Sequence, residues 1–381
     1  SISKDIKFPQ VWKSSLGIDV KLPFGVVGTL EGIYSKDLNA VYGQNVNLKD
    51  PTITVTGYAD QRLFYPNSVN GRQAVNMTSA GIPSATGTSA LNVAKMRNID
   101  GGYNWMATAQ LSKQFSNGLS AMVAYTKADQ RNYGDQSGDQ LLNLWSIPQT
   151  VGNSNIANLS YSNNLSPNRI IGSLSYRKEW LQNLATSISV FYEGAIAGRY
   201  SYVYSADFNR DGQNNDLIYV PNSASELTFE AIPAGTNGYA RAYSGTEQAD
   251  LFMAFIDQDP YLKSRKGQYA ERSGAKLPWR NQFDVRITQE VFRNIGKTKN
   301  SFEFTADIFN FGNLLNSDWG TVKFARNANI LIPRNVSSIS ATTKPTFRLA
   351  SGGSDIIRES FGTSETISST YYMQFGVRYK F

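Results

Sequence analysis

The last eleven residues, YYMQFGVRYKF (371–381), alternate without a break and finish on an aromatic side chain. Tyr371, Met373, Phe375, Val377, Tyr379 and Phe381 share one register, and Tyr372, Gln374, Gly376, Arg378 and Lys380 share the other. Successive side chains of a strand point to opposite sides, so the stretch reads as a ribbon with one apolar face and one wet, partly cationic face. A tilted strand of about ten residues crosses a bilayer core. This one can span a membrane or lie half-buried in a soluble sheet, and the rest of the chain has to decide.

The alternation recurs in pairs. Residues 11–22 place Leu16, Ile18, Val20 and Leu22 opposite Lys13, Ser15, Asp19 and Lys21; the turn Pro23-Phe24-Gly25 follows, and a return strand is expected over about 26–47. A second pair, about 103–115 and 119–128, meets at Ser116-Asn117-Gly118, where Asn-Gly between alternating runs signals a hairpin. A third pair, 170–180 and 186–202, turns near Gln182-Asn183, and a fourth, about 282–291 and 302–308, turns near Gly296-Lys297. Between the pairs lie long polar stretches rich in Gly, Ser, Thr and Asn, read as loops. Short turn and long loop thus alternate throughout, the rhythm of transmembrane barrels; soluble sandwiches have no reason to put every long connection at one end.

Composition agrees. With 31 Gly, 21 Tyr, 20 Phe and 6 Trp but only 41% hydrophobic residues, the chain suits a barrel whose lumen and loops are polar. It has no run of about 18 apolar residues, so a helical membrane protein is excluded. The absence of Cys and His rules out disulfides, thiolate chemistry, Ser-His-Asp triads and histidine metal sites. The net charge of +7 is scattered without a Lys/Arg-rich block, which argues against nucleic acid as a partner. The expected fold is all-β: a transmembrane antiparallel barrel, contributing about nine strands over 1–381. With the final residue on the periplasmic side, nine strands enter from outside, whereas bacterial barrels are even-numbered with both ends inside. The expectation is the C-terminal part of a larger barrel, or one chain of a split one. SISKDIKFPQ has no charged n-region, apolar core or cleavage site, so a signal has been removed or more chain precedes it.

Four stretches carry a family likeness: KFPQVWKSSLGIDVKLPFGVVGTLEGIYSKDLNAVY, DFNRDGQNNDLIYVP, LKSRKGQYAERSGAKLPWRNQFDVRITQEVF and FEFTADIFNFGNLLNSDWG. In this order, ahead of a terminal aromatic residue, they resemble the C-terminal half of TonB-dependent outer-membrane receptors, closest to the Oar-like group of Bacteroidota related to SusC-type transporters. The resemblance spans about 8–381. It implies a barrel of about 22 strands filled by a plug, with plug and N-terminal domains absent from this chain. It also implies outer-membrane lipid as surroundings, energy from the TonB system through that plug, and surface lipoproteins or other complex members as partners. Tyr379 and Phe381 resemble the terminal signal by which such barrels are recognised for insertion. The implied function is transport of a large or scarce substrate; a structural scaffold in an outer-membrane complex, or a plug-free porin or adhesin, are the alternatives.

The sharpest local constellation is DFNRDGQNND (207–216). Asp207, Asn209 and Asp211 alternate, Gly212 permits a sharp turn, Gln213 could offer a carbonyl, and Asp216 would supply the closing carboxylate where an EF-hand has its Glu further on. Calcium in an outer loop and a turn satisfied by its own backbone are both open readings. Asp284, Arg286, Glu303, Asp307 and Arg378 are expected to face the lumen as an ion-pair network rather than as catalytic acids, and no enzyme activity is expected. Tyr58, Phe64, Tyr65, Tyr219 and Tyr239 in the loops could grip a sugar or peptide, or simply pack. Trp12, Trp105, Trp180, Trp279 and Trp319 read as interface anchors.

Overall fold

Nine strands follow one another as an antiparallel meander in the computed structural model, which describes residues 1–135, 138–181, 183–292 and 300–381. They are β1 (Gln10–Lys21), β2 (Val26–Leu38), β3 (Tyr103–Gln114), β4 (Leu119–Asn132), β5 (Asn168–Trp180), β6 (Leu184–Ile196), β7 (Trp279–Val291), β8 (Ser301–Phe309) and β9 (Tyr372–Lys380). Each pairs with its neighbours in sequence, and a two-residue strand, Ser160–Tyr161, adds to the end of β4. Among the described residues the sheet is an open path with β1 and β9 as its edges.

Register converts the alternation into two unlike surfaces. One row across the sheet reads Leu119, Tyr176, Ile188, Ile287, Ala306, Phe375. One residue along every strand, the next row reads Ser120, Ser175, Ser189, Arg286, Asp307, Gln374 on the opposite face. Because side chains have period two, a slip of one residue in any pair would exchange these rows, so the pattern itself pins the register.

Four connections are short and four are long, and all the long ones (39–102, 133–167, 197–278 and 310–371) leave from the same end. The Pro23-Phe24-Gly25 turn closes as one 3-10 turn with Phe24 and Gly25 left-handed. At Gly118 φ is +87°, and an added Cβ would collide with the carbonyl of Arg177 on β5, so only glycine fits. The turns expected near Gln182-Asn183 and Gly296-Lys297 lie outside the described residues, Asn183 excepted.

Two expected strands are shorter than the sequence suggested. The second stops at Leu38 rather than near 47: Asn39 turns left-handed (φ +57°) and donates its N–H to Asp100, after which Ala40–Asn45 pairs with Ala94–Ile99. The sixth ends at Ile196, and Arg199–Tyr200 instead joins Ala275–Lys276.

The long connections are not open loops. They fold together into a cap with the main hydrophobic core, built from Val55, Tyr58 and Phe64 of the first, Tyr202, Phe208 and Ile218 of the third, and Ile330, Phe347 and Ile356 of the fourth. Helix α1 (Gly245–Gln258) puts Ala249, Phe252, Phe255 and Ile256 on one buried face, and Ser244 caps it by accepting the Glu247 N–H.

Candidate functional site

On the wet face β5 to β9 carry a ladder of opposite charges. Arg177 of β5 clamps Glu290 of β7 with two bonds of 3.2 and 2.9 Å. Lys380 of β9 lies 3.8 Å from Glu290 and 2.5 Å from Glu303 of β8, which Arg378 also approaches at 3.5 Å. Arg286 grips Asp307 with both a 2.5 and a 3.1 Å bond, while Asp284 accepts the Asn310 N–H at 2.8 Å and a Gln282 amide bond at 3.1 Å. Asp284, Arg286, Glu303, Asp307 and Arg378 therefore share one face. Glu303 and Asp307 are each paired with a cation. The cations of these pairs are solvent-exposed although Glu303 and Asp307 are buried, so each pair contributes only about 0–1 kcal/mol to stability; together they make the face hydrophilic.

Most of the tryptophans sit where strands end. Trp12, Trp105 and Trp279 lie in the first three residues of β1, β3 and β7 at the cap end, Trp180 closes β5 at the turn end, and Trp319 lies in the fourth long connection, ten residues after β8. Trp145 is instead buried beside Leu48 and Tyr65 in the cap, a placement no local pattern in the sequence signals.

Within the cap, Arg62 holds the first and third long connections together. Its Nε donates to Asp60 at 2.8 Å, Nη2 to the Leu217 carbonyl at 2.6 Å, and Nη1 reaches Asp216 at 3.5 Å, with Tyr204 and Phe208 rings about its guanidinium. Burial alone would lower the Arg62 pKa, but Asp60, Tyr204 and Asp216 outweigh it and hold the guanidinium protonated. The loop aromatics are packing residues: Tyr58, Phe64, Tyr65 and Tyr219 are buried, and Tyr239 donates its hydroxyl to the Leu349 carbonyl.

The 207–216 loop lies against this network and folds inward. Asp207 Oδ2 accepts the Gly212 N–H, Asn209 Oδ1 the Asp211 N–H, and Asp211 Oδ1 the Gln213 N–H, each at 2.8 Å. Asp216 does not turn to the same point. Its Oδ2 accepts the N–H groups of Phe208 and Asn209 and its Oδ1 faces Arg62, so it braces the loop rather than closing a ligand ring. Burial drives the Asp216 carboxyl well above its ordinary value despite Arg62, and Asp211 and Asp207 add to the rise. Asp211 is pushed up to about 6, mainly by burial.

A cavity of about 300 Å³ opens where three long connections meet, lined by Tyr42, Tyr133, Asp135, Arg199, Tyr200 and Arg272. Arg272 pairs with Asp135 at 3.4 Å, and burial lowers the pKa of both arginines. Tyr133, Asp135 and Arg272 come from stretches read as polar loop, whereas Tyr42, Arg199 and Tyr200 lie in the parts of the expected strands 26–47 and 186–202 that run past the observed strand ends, and no local spacing marks the six as a group. Helix α1, by contrast, had a visible signal: Ser244-Gly-Thr-Glu247 ahead of Leu251, Phe252, Phe255 and Ile256 is a capping-box pattern.

No protein-family model matches the chain, and no curated protein matches it. The functional reading therefore rests on the two faces of the sheet and on the cap.

Proposed function

We propose that the chain forms part of an outer-membrane β-barrel of the TonB-dependent receptor kind, moving a large or scarce substrate with energy supplied through a plug. The two-sidedness of the sheet carries this reading. Leu16, Leu30, Phe375 and Val377 are 80%, 59%, 76% and 68% exposed on one face, while the other face is ion-paired. Water does not tolerate so continuous an apolar surface, and lipid on one side with a wet lumen on the other accounts for both. Strands of 12 to 14 residues in β1 through β7 are long enough to cross. No described helix is long and apolar enough to cross a membrane.

The sheet edges add a constraint. Unpaired backbone groups do not stand in hydrocarbon, so β1 and β9 need partners there. In a nine-strand meander the first and last strands run in the same direction. Antiparallel closure then takes an odd number of further strands, beginning and ending in the opposite sense. A barrel of about 22 strands meets this with about thirteen. A second copy of this sheet does not, because both of its edges run the wrong way.

Outer-membrane lipid, the TonB system and surface lipoproteins are the partners this reading implies. The test is purification from outer membranes in mild detergent, followed by intact mass and planar-bilayer conductance. A polypeptide well above 42.1 kDa, or one of that mass with stable companions, that leaves the bilayer closed is the expected result. A lone 42.1 kDa chain that stays in the aqueous fraction would sink the proposal, and a large steady conductance would replace it with a porin.

A further inference from the structure

We infer that the 207–216 loop is a calcium site, with Asp207 Oδ1 and Asp211 Oδ2 as its charged ligands. Backbone bonds explain only half of the Asp207 and Asp211 carboxylate oxygens: one of each holds the coil in shape. The other two, Asp207 Oδ1 and Asp211 Oδ2, are shut off from solvent with no hydrogen-bond partner. Asp211 itself is only 1% exposed. The buried Ser154 hydroxyl faces Asp211 and lowers its pKa as a donor would, but lies outside good hydrogen-bond geometry, so it is a polar neighbour aimed at this carboxylate. A turn satisfied by its own backbone would leave no such remainder.

Neighbouring cations do not fill the gap. Arg62 is taken by Asp60, Asp216 and the Leu217 carbonyl. Arg210 Nη1 reaches the Val336 and Ile339 carbonyls at 3.3 and 3.0 Å and Arg72 Nη1 the Arg210 carbonyl at 3.3 Å; both guanidinium groups act on Asp207 only through space, and Arg210 Nε and Nη2 and Arg72 Nε, buried like the two oxygens, do not bond them. Ionised oxygens withdrawn from water without a donor are strongly disfavoured, and a hard cation relieves that.

Among the described residues no three acidic, histidine or cysteine side chains are arranged to hold one metal. The inferred site accordingly has two carboxylates and draws its remaining ligands from hydroxyl, carbonyl and solvent oxygens. An all-oxygen, irregular donor set of this kind suits Ca²⁺ and not Mg²⁺, which demands near-ideal octahedral geometry. With so few charges its affinity belongs at the weak end, about 10⁻⁴ to 10⁻³ M, as in other extracellular calcium modules. Bound there, calcium would tie the third long connection to the 150–155 segment, which the loop already touches through the Asn209 amide and the Gly152 carbonyl.

The experiment is isothermal titration of the metal-free protein in detergent with CaCl₂, and separately with MgCl₂, repeated on Asp207→Asn and Asp211→Asn. One saturable calcium site, weakened at least tenfold in either variant and unaffected by equimolar magnesium, is expected. Absence of saturable binding by the unaltered protein up to about 10 mM, well past the weak range, overturns the inference. So does binding that both variants retain. The unaltered protein decides even if a variant misfolds, and the readout concerns the cap, so it stands whatever becomes of the barrel reading.

Discussion

Arg62 and Asp216 stand 154 positions apart in the chain and meet at 3.5 Å, neither side chain reached by solvent. This contact makes one body of two segments that the sequence presents as separate loops. Replacing Arg62 with Met keeps its bulk but strands Asp60 and Asp216 as buried charges, a cost of about 3–5 kcal/mol. Arg62→Met should open 39–102 and 197–278 to protease together while the sheet stays protected. Cleavage unchanged from the parent, mapped by mass spectrometry, would contradict the joint role.

Asp259 serves two structures at once. Its Oδ1 caps the short helix α2 (Pro260–Ser264) by accepting the Tyr261 and Leu262 N–H groups at 2.9 Å, and its Oδ2 accepts the Tyr202 and Ser360 hydroxyls at 2.6 Å. Asp259→Ala removes the cap and leaves the protons of two hydroxyls without their acceptor, so the urea midpoint of the cap should fall by the equivalent of roughly 3 kcal/mol. Asp259→Asn keeps one acceptor oxygen for the helix cap and turns the other into a donor facing the two hydroxyls, so it should lose less. Equal losses in the two variants would count against the hydrogen-bond account.

Adjacent residues of β9 separate the two faces. Phe375 lies in the apolar row and Gln374 beside Asp307 in the wet one. A lysine facing lipid near mid-membrane costs about 2–4 kcal/mol, and one facing a lumen costs little. Phe375→Lys should therefore deplete folded protein in outer membranes while Gln374→Lys leaves its level near normal. Immunoblots showing both variants equally abundant would argue that neither face meets lipid.

The terminal aromatics divide by role. Phe381 is 97% exposed, whereas the Tyr379 ring packs on Phe302 with centroids 5.0 Å apart. With Phe381 as the proposed insertion signal, Phe381→Ser should lower the yield of heat-modifiable barrel yet leave the melting of assembled protein unchanged. Normal yield in the mutant would remove Phe381 from any recognition role.

The strands were legible because their pattern has period two and each depends on near neighbours: the PFG and NG turns, the rows in β5 to β9 and the charges from Asp284 to Arg378 can all be read locally. The cap was not. Phe64, Phe208 and Phe347 meet only after three long connections fold together, and between them the sequence is rich in Gly, Ser and Asn that reads as loop. Asp216 shows the same limit. Its spacing fits a ligand ring, but Arg62, far off in sequence, claims it instead. Asn39 is a smaller case, where one left-handed residue ends β2 inside a run that alternation would have continued.

Whether one face of the sheet meets lipid is read most cleanly along β6. The chain contains no cysteine, so single cysteines at Ser187, Ile188, Ser189, Val190, Phe191 and Tyr192 can each carry one fluorophore. With the protein in lipid bilayers, labels at 188, 190 and 192 should be quenched by nitroxide-bearing acyl chains, and labels at 187, 189 and 191 by a water-soluble quencher. Water-soluble quenching at all six positions, or quenching without a two-residue period, would show that the apolar face is covered by protein and that this sheet does not line a membrane.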